Sequence, residues 1–159
     1  MRRSGCNRLR ALAMRRAGAG AAFAACFDNA KRFERAAAGF RLYDAHANTI
    51  TRNVSHDNED SGIELDRSDG NVVSNNVSYH NGDHGLDGTG AFSRTRILAN
   101  TVYYNVTAGI NVEGGSTDAT VANNISVDNG VDSPRTDSNI RVDAASVRGT
   151  SLESHTTNA

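Results

Sequence analysis

The sequence predicts an all-β solenoid, a single-stranded parallel β-helix of about five coils of 23–24 residues. Three observations carry this: a hexapeptide that recurs four times, apolar residues that keep register with it, and 17 asparagines in 159 residues. Asn53-Val-Ser-His-Asp-Asn58 returns as Asn76-Val-Ser-Tyr-His-Asn81, Asn100-Thr-Val-Tyr-Tyr-Asn105 and Asn124-Ile-Ser-Val-Asp-Asn129, at spacings of 23, 24 and 24. A period this short excludes helix-pair solenoids, whose repeats run to about 33–47 residues. It falls in the leucine-rich range, but the leucine pattern is missing.

Each repeat holds three short stretches in which β-branched residues alternate with polar ones, the signature of strands. In the first full copy they lie around 49–52, 54–56 and 62–66. Three residues before each first Asn stands Ile50, Val73, Ile97 or Val121. One residue after it stands Val54, Val77, Thr101 or Ile125. Four residues beyond the second Asn comes a Gly–apolar pair, Gly62-Ile63, Gly85-Leu86 and Gly109-Ile110, with Gly39-Phe40 one period earlier. An insertion around Pro134 delays this pair in the last repeat to Asn139-Ile140, where Asn is expected to supply the left-handed conformation a glycine would. Stacked at the same corner of successive coils, Asn53, Asn76, Asn100 and Asn124 should form one amide ladder, and Asn58, Asn81, Asn105 and Asn129 a second.

The charge divides the chain. Residues 1–38 hold nine basic residues against two acidic, and 12 of the 22 alanines. Residues 39–159 hold eight basic against 16 acidic and form the β-helix domain. Three readings of 1–38 stand open: an export signal, a worn first coil or cap with Phe27 in the register of Ile50, or a mis-set start in an Arg-rich coding sequence. Arg8–Arg16 could also form a short capping helix. In the export reading Phe23-Ala-Ala-Cys26 resembles a lipobox, which would make Cys26 a lipid anchor. At the other end Leu152 opens a further coil, with His155 in the ladder position, so the chain is expected to be part of a longer protein or to pair end to end. Net charge of −1 provides no basic field for nucleic acid, and no apolar run reaches the ~18 residues of a membrane span. Phosphate-loop, zinc-cluster and nucleophile-elbow motifs are absent. Asn-X-Ser/Thr sequons at Asn53, Asn76, Asn105 and Asn124 are products of the repeat.

Periodicity also predicts which side chains meet. With Ile63 and Leu65 facing in, Glu64 and Asp66 face out. One outer column then reads Arg41, Glu64, Asp87, Asn111, Arg141, and the next Tyr43, Asp66, Thr89, Glu113, Asp143. His84 and Arg67 edge this face. Glu64 and Asp87, about 4.8 Å apart on neighbouring coils, should either raise one pKa or hold a cation, with Ca²⁺ the fitting one. Such a face suits a sugar substrate. A protonated acid and His84 would move protons, while Arg41 and Arg67 neutralise a uronate carboxylate and Glu64, Asp87, Asn111 and Glu113 line the groove. The alternative is a solvated outer surface, which any soluble solenoid needs. Tyr79 and Tyr103 share a column with His56 and are expected to stack across coils.

The repeat resembles the right-handed parallel β-helix superfamily of pectate lyase-like enzymes, mannuronan C5-epimerases and NosD-type periplasmic proteins, over residues 39–143. Right-handedness is implied by that resemblance. Tyr43-Asp44-Ala45-His46, Gly62-Ile-Glu-Leu-Asp66 and His84-Gly85 are similar to elements around the epimerase active site. The resemblance implies catalytic roles for Tyr43, Asp44, His46, Asp66 and His84, with Asp66 or His84 as base and His46 or Tyr43 as proton donor. Ala45 stands where the epimerase motif has Pro. The expected protein is secreted, periplasmic or on the cell surface, and binds or processes acidic polysaccharide. The alternative is a non-catalytic NosD-like module for glycan, metal or protein.

Overall fold

The computed structural model describes residues 26–28 (backbone only), 38–131, 133, 135–136, 138–153 and 155–157. Its strands, in chain order, are β1 (Cys26–Asp28), β2 (Phe40–Tyr43), β3 (Thr49–Thr51), β4 (Val54–His56), β5 (Ile63–Asp66), β6 (Val72–Ser74), β7 (Val77–Tyr79), β8 (Leu86–Thr89), β9 (Arg96–Leu98), β10 (Thr101–Tyr103), β11 (Ile110–Val112), β12 (Thr120–Ala122), β13 (Ile125–Val127), β14 (Ile140–Val142) and β15 (Ser151–Glu153). Every third strand joins the same sheet. Sheet A runs β1-β4-β7-β10-β13, sheet B β2-β5-β8-β11-β14 and sheet C β3-β6-β9-β12-β15, all parallel. The chain is therefore a three-faced parallel β-helix with one strand per face per coil.

The corners explain the hexapeptide. The residue before each first Asn has positive φ (Arg52, Asn75, Ala99, Asn123), as does the residue before each second Asn (Asp57, His80, Tyr104, Asp128). That left-handed residue bends the chain, and the following Asn locks the bend. The Asn53 backbone N–H and Nδ2 both donate to Asn76 Oδ1, at 2.9 Å each, and Asn76 and Asn100 repeat this toward Asn100 and Asn124. The second ladder runs from Asn58 through Asn81 and Asn105 to Asn129 in the same way. A shorter third one, at the remaining corner, was not foreseen: Asn48 donates to Asn71, and the Asn71 N–H to Thr95 Oγ1.

The glycines before sheet B have a different reason from the one expected. Gly39, Gly62, Gly85 and Gly109 are not left-handed. A Cβ on Gly62 would lie 2.0 Å from Ser78 Oγ and 2.7 Å from Asn81 Nδ2, so the position is closed to side chains by close approach. Asn139 is not left-handed either. It takes the glycine's place in register, since Ile140 pairs with Ile110. Its Oδ1 accepts from the Asn129 N–H and Nδ2, at 3.1 Å each, which ends the second ladder.

The narrow core is apolar on two sides and mixed on the third, where Val102 shares the inward column with three serines. Sheet C contributes Ile50, Val73, Ile97 and Val121, and sheet B Ile63, Leu65, Leu86, Ile110 and Val112. Sheet A turns Ser55, Ser78 and Ser126 inward, and each hydroxyl donates to a backbone carbonyl, those of Gly62, Gly85 and Asn139. Phe92 fills the space left by Gly88, whose Cβ would sit 2.1 Å from its ring.

Both ends test earlier expectations. Leu152 pairs with Val121, as read from the period. Phe27 pairs with Ser55, and not with the register of Ile50. The offset is 28 residues because twelve residues separate Asp28 from Phe40, where seven separate His56 from Ile63. Cys26 lies in a strand beside Val54, which lends no support to a lipid anchor there. The proposed helix over Arg8–Arg16 and the remainder of 1–37 lie outside the described residues.

Candidate functional site

Sheet B presents the predicted outer face. Pairing aligns Arg41, Glu64, Asp87, Asn111 and Arg141 in one column, with Tyr43, Asp66 and Thr89 in the next. The side chains on this face form two separate groups.

The first group is an ion-pair lattice on the first two coils. Arg41 donates to Asp66 Oδ2 at 2.8 Å, and its Nε lies 3.3 Å from Glu64 Oε2. Arg67 bridges Asp44 (3.5 Å) and Asp66 (3.7 Å), and its guanidinium covers the Tyr43 ring at 4.2 Å from the centroid. Cation–π contact and charge pairing together hold Tyr43, Asp44, Asp66, Arg41 and Arg67 as one unit. His46 sits around the next corner, where its Nδ1 accepts the Asp69 N–H at 3.0 Å. Its hydrogen is then on Nε2.

The second group surrounds a cavity of about 240 Å³ lined by Asp83, His84, Asp87, Glu113, Arg135, Thr136 and Arg141. His84 precedes β8 and is buried. Its Nδ1 faces Thr107 Oγ1 at 2.7 Å and the Ala108 carbonyl at 3.3 Å, and Nε2 lies 3.5 Å from Asp83 Oδ1. Thr107 Oγ1 in turn donates to Asp83 at 2.6 Å. A carbonyl can only accept, so the hydrogen of a neutral His84 belongs on Nδ1 and Nε2 is the atom free to take a proton. Arg141 donates to Asn111 Oδ1 (2.7 Å) and Glu113 (2.8 Å), and Asn111 Nδ2 donates to Asp87 at 2.9 Å.

The five residues matched to the epimerase motif are thus divided. Tyr43, Asp44 and Asp66 belong to the lattice, His46 to a neighbouring corner, and His84 to the cavity, which begins one coil beyond Asp66. Asp83, Arg135, Thr136 and Arg141 complete the cavity lining, with Thr107 bonded to Asp83 and His84 beside it, and none of these was singled out from the sequence. Arg141 stood in the right column and Asp83 adjoins His84, so both carried a signal. Arg135 comes from the insertion, where the period gives no register.

Burial sets the protonation of the face. Glu64 is raised to about 7, by desolvation first, opposed by Arg41 and reinforced by Asp60, Asp87 and Asp66. Asp87 is raised to about 6, again by desolvation first, with His84 and the Asn111 hydrogen bond opposing. The geometry does not favour calcium between them. Arg41 already faces Glu64, Asn111 turns N–H hydrogens toward Asp87, and among the described residues no three His, Cys, Asp or Glu side chains converge to hold a metal.

A raised carboxyl binds its proton more tightly in the folded than in the unfolded chain. Its stabilisation is full below the unfolded value and is lost as pH rises through the folded one. Between pH 5 and 8 Glu64 should therefore withdraw on the order of 2 kcal/mol, after allowance for solvent screening. Glu64→Gln is expected to flatten the fall in Tm across that window. An unchanged pH slope would refute a buried, protonated Glu64.

The fold and this face define a parallel β-helix protein with a polar cleft on one sheet, lined by acids, a histidine and arginines. Residues 10–144 match the family described as "Periplasmic copper-binding protein (NosD)", and the chain belongs to that family. It is also similar to the crystal structure of Dettilon tailspike protein (gp208), with a TM-score of 0.58 and 19% identity over 67% of this chain. The chain spans 25% of that structure's length, and the likeness shows the fold; together with the family match it supports the right-handed parallel β-helix superfamily. No curated protein matches. No helix among the described residues is long and apolar enough to cross a membrane. The described residues do not fit copper, which prefers converging imidazole and sulfur donors. Both methionines and both cysteines lie before residue 27.

Proposed function

We propose that this protein works outside the cytoplasm, binds an acidic polysaccharide along the outer face of sheet B, and processes it at the His84 cavity as a uronan C5-epimerase or lyase. One observation carries the reading: a His with its Nδ1 hydrogen engaged stands beside a carboxyl raised to about 6, in a cleft that two arginines line. The family description, which names periplasmic proteins, supports the location.

Both reactions begin by removing the proton on the sugar carbon next to the carboxylate. His84 Nε2 is the base, and a guanidinium on the carboxylate stabilises the enolate that forms. In epimerisation a proton returns to the opposite face of the same carbon. In elimination the C4–O bond breaks, C4=C5 forms, and the protonated Asp87 carboxyl gives its proton to the leaving oxygen. This assigns proton transfer to His84 and Asp87. Tyr43, Asp44, Asp66, Arg41 and Arg67 become the binding surface of the first coils, because their ion pairs hold them in place. The test is proton NMR of alginate and polygalacturonate incubated with the protein. Inverted C5 centres or unsaturated ends are expected, and an unchanged spectrum from folded protein would remove the enzymatic reading.

A second reading is a non-catalytic module. It is favoured by the satisfied Arg41–Asp66 and Arg67–Asp44 pairs, which look structural. Retention on a polyuronate affinity gel without any product would select it.

A further inference from the structure

Among the four coils that carry the hexapeptide, the repeat is interrupted between β13 and β14. Ten residues separate Asn129 from Asn139, where four separate Asn105 from Gly109. The extra residues place Arg135 over the cavity. Ser133 Oγ accepts the N–H groups of Arg135 (3.2 Å) and Thr136 (3.4 Å), so the loop is shaped by its own hydroxyls. The Arg135 guanidinium pairs with Asp83 Oδ1, a residue fifty-two positions earlier.

The two arginines of the cavity are held differently. Arg141 is tied to two acceptors, Asn111 and Glu113, and is 37% exposed. The Arg135 side chain is 61% exposed, and its guanidinium bonds only one side chain among the described residues, Asp83. Asp83 does not depend on it. The Thr107 hydroxyl donates to the same Oδ1. Withdrawing Arg135 would leave no buried acceptor without a donor, so the exchange costs little. A planar guanidinium on a flexible, hydrated arm then finds its best partner in a carboxylate that can accept two N–H groups at once.

We infer that Arg135 is the specificity-determining residue of the cleft: it releases Asp83 to bind the carboxylate of a uronic acid unit, and Asp83 is then left to Thr107 and His84. The inference rests on the reading of the cleft as a uronan site, and it deepens that reading. Recognition of charge and positioning of the base become one event. A neutral sugar would leave Arg135 on Asp83 and His84 in its resting contacts.

The test uses the full ¹⁵N-labelled chain and sodium glucuronate alone, followed by side-chain NMR of Arg135 and His84, with methyl glucuronate as the neutral control. Saturable shifts of both residues are expected with glucuronate and none with the ester. Arg135→Gln should weaken glucuronate binding roughly tenfold, and Arg135→Lys should recover part of it. Equal affinity in Arg135→Gln, an equal response to the ester, or no response in the natural chain would overturn the inference. A fall in Tm without a change in affinity would make Arg135 a structural staple and also overturn it. Retention on polygalacturonate and alginate gels separates the two claims. Glucuronate binding through Arg135 with neither polymer retained would fail the proposed function alone. Polymers retained equally by Arg135→Gln would fail only the assignment of Arg135.

Discussion

Asn76→Ala is expected to cost about 3–5 kcal/mol, enough to unfold much of a domain with ordinary marginal stability. Asn76 has almost no exposed surface, and it connects three coils. Its Oδ1 accepts both the backbone N–H and Nδ2 of Asn53, and its Nδ2 donates to the Ile50 carbonyl and to Asn100 Oδ1. Alanine would leave the Asn53 N–H buried without its acceptor and open a void beside it. Asn53→Ala is the internal control. Its own Oδ1 is buried with no hydrogen-bond partner among the described residues. Asn53 should therefore cost roughly half as much as Asn76. Urea melts of the two variants check this order, and equal or negligible losses would show that the ladders are not a main support of the fold.

Asp87→Asn and His84→Gln should each lower turnover of a uronan by roughly 10²–10⁴-fold. The first replaces a proton-donating acid with an amide of the same shape, and the second keeps a polar group but removes the basic ring nitrogen. Neither change should lower Tm by more than a few degrees, because Asp87 is held by one hydrogen bond from Asn111 and the cleft is open to solvent. Asp66→Asn separates the two groups of residues. Asp66 lies between Arg41 and Arg67, so its loss should weaken polymer binding and leave the rate at saturation little changed. Release of unsaturated ends or inverted C5 signals over time is the measurement. Full activity in Asp87→Asn and His84→Gln would end the assignment of proton transfer to this cavity.

Much of the fold was legible because a solenoid writes its contacts into its period. The Ile50 and Asn53 columns could be read directly, since each residue meets its equivalent one coil away. The same logic found the pairing of Glu64 with Asp87 and of Leu152 with Val121. It failed where the period was assumed to continue. Phe27 was misplaced by the five extra residues before β2. The glycines were correctly located but explained by conformation, when the cause was Ser and Asn side chains 2–3 Å from where a Cβ would sit. The third ladder was missed because it mixes Asn48 and Asn71 with Thr95, and only the hydrogen bonds show that the hydroxyl serves the same role.

By itself, the sequence determined the coil, the strands, the inward and outward columns, and the presence of acids and arginines on one face. These follow from local spacing, because parallel in-register stacking turns a repeat along the chain into a neighbour in space. Only the tertiary structure decided which outward residues act together. It placed Tyr43 and Asp66 in a closed ion-pair lattice, and grouped Asp83, His84 and Asp87 with Arg135 and Arg141 around a cavity. Side-chain reach, burial and the path of an aperiodic loop set that division, and none of the three has a period to read.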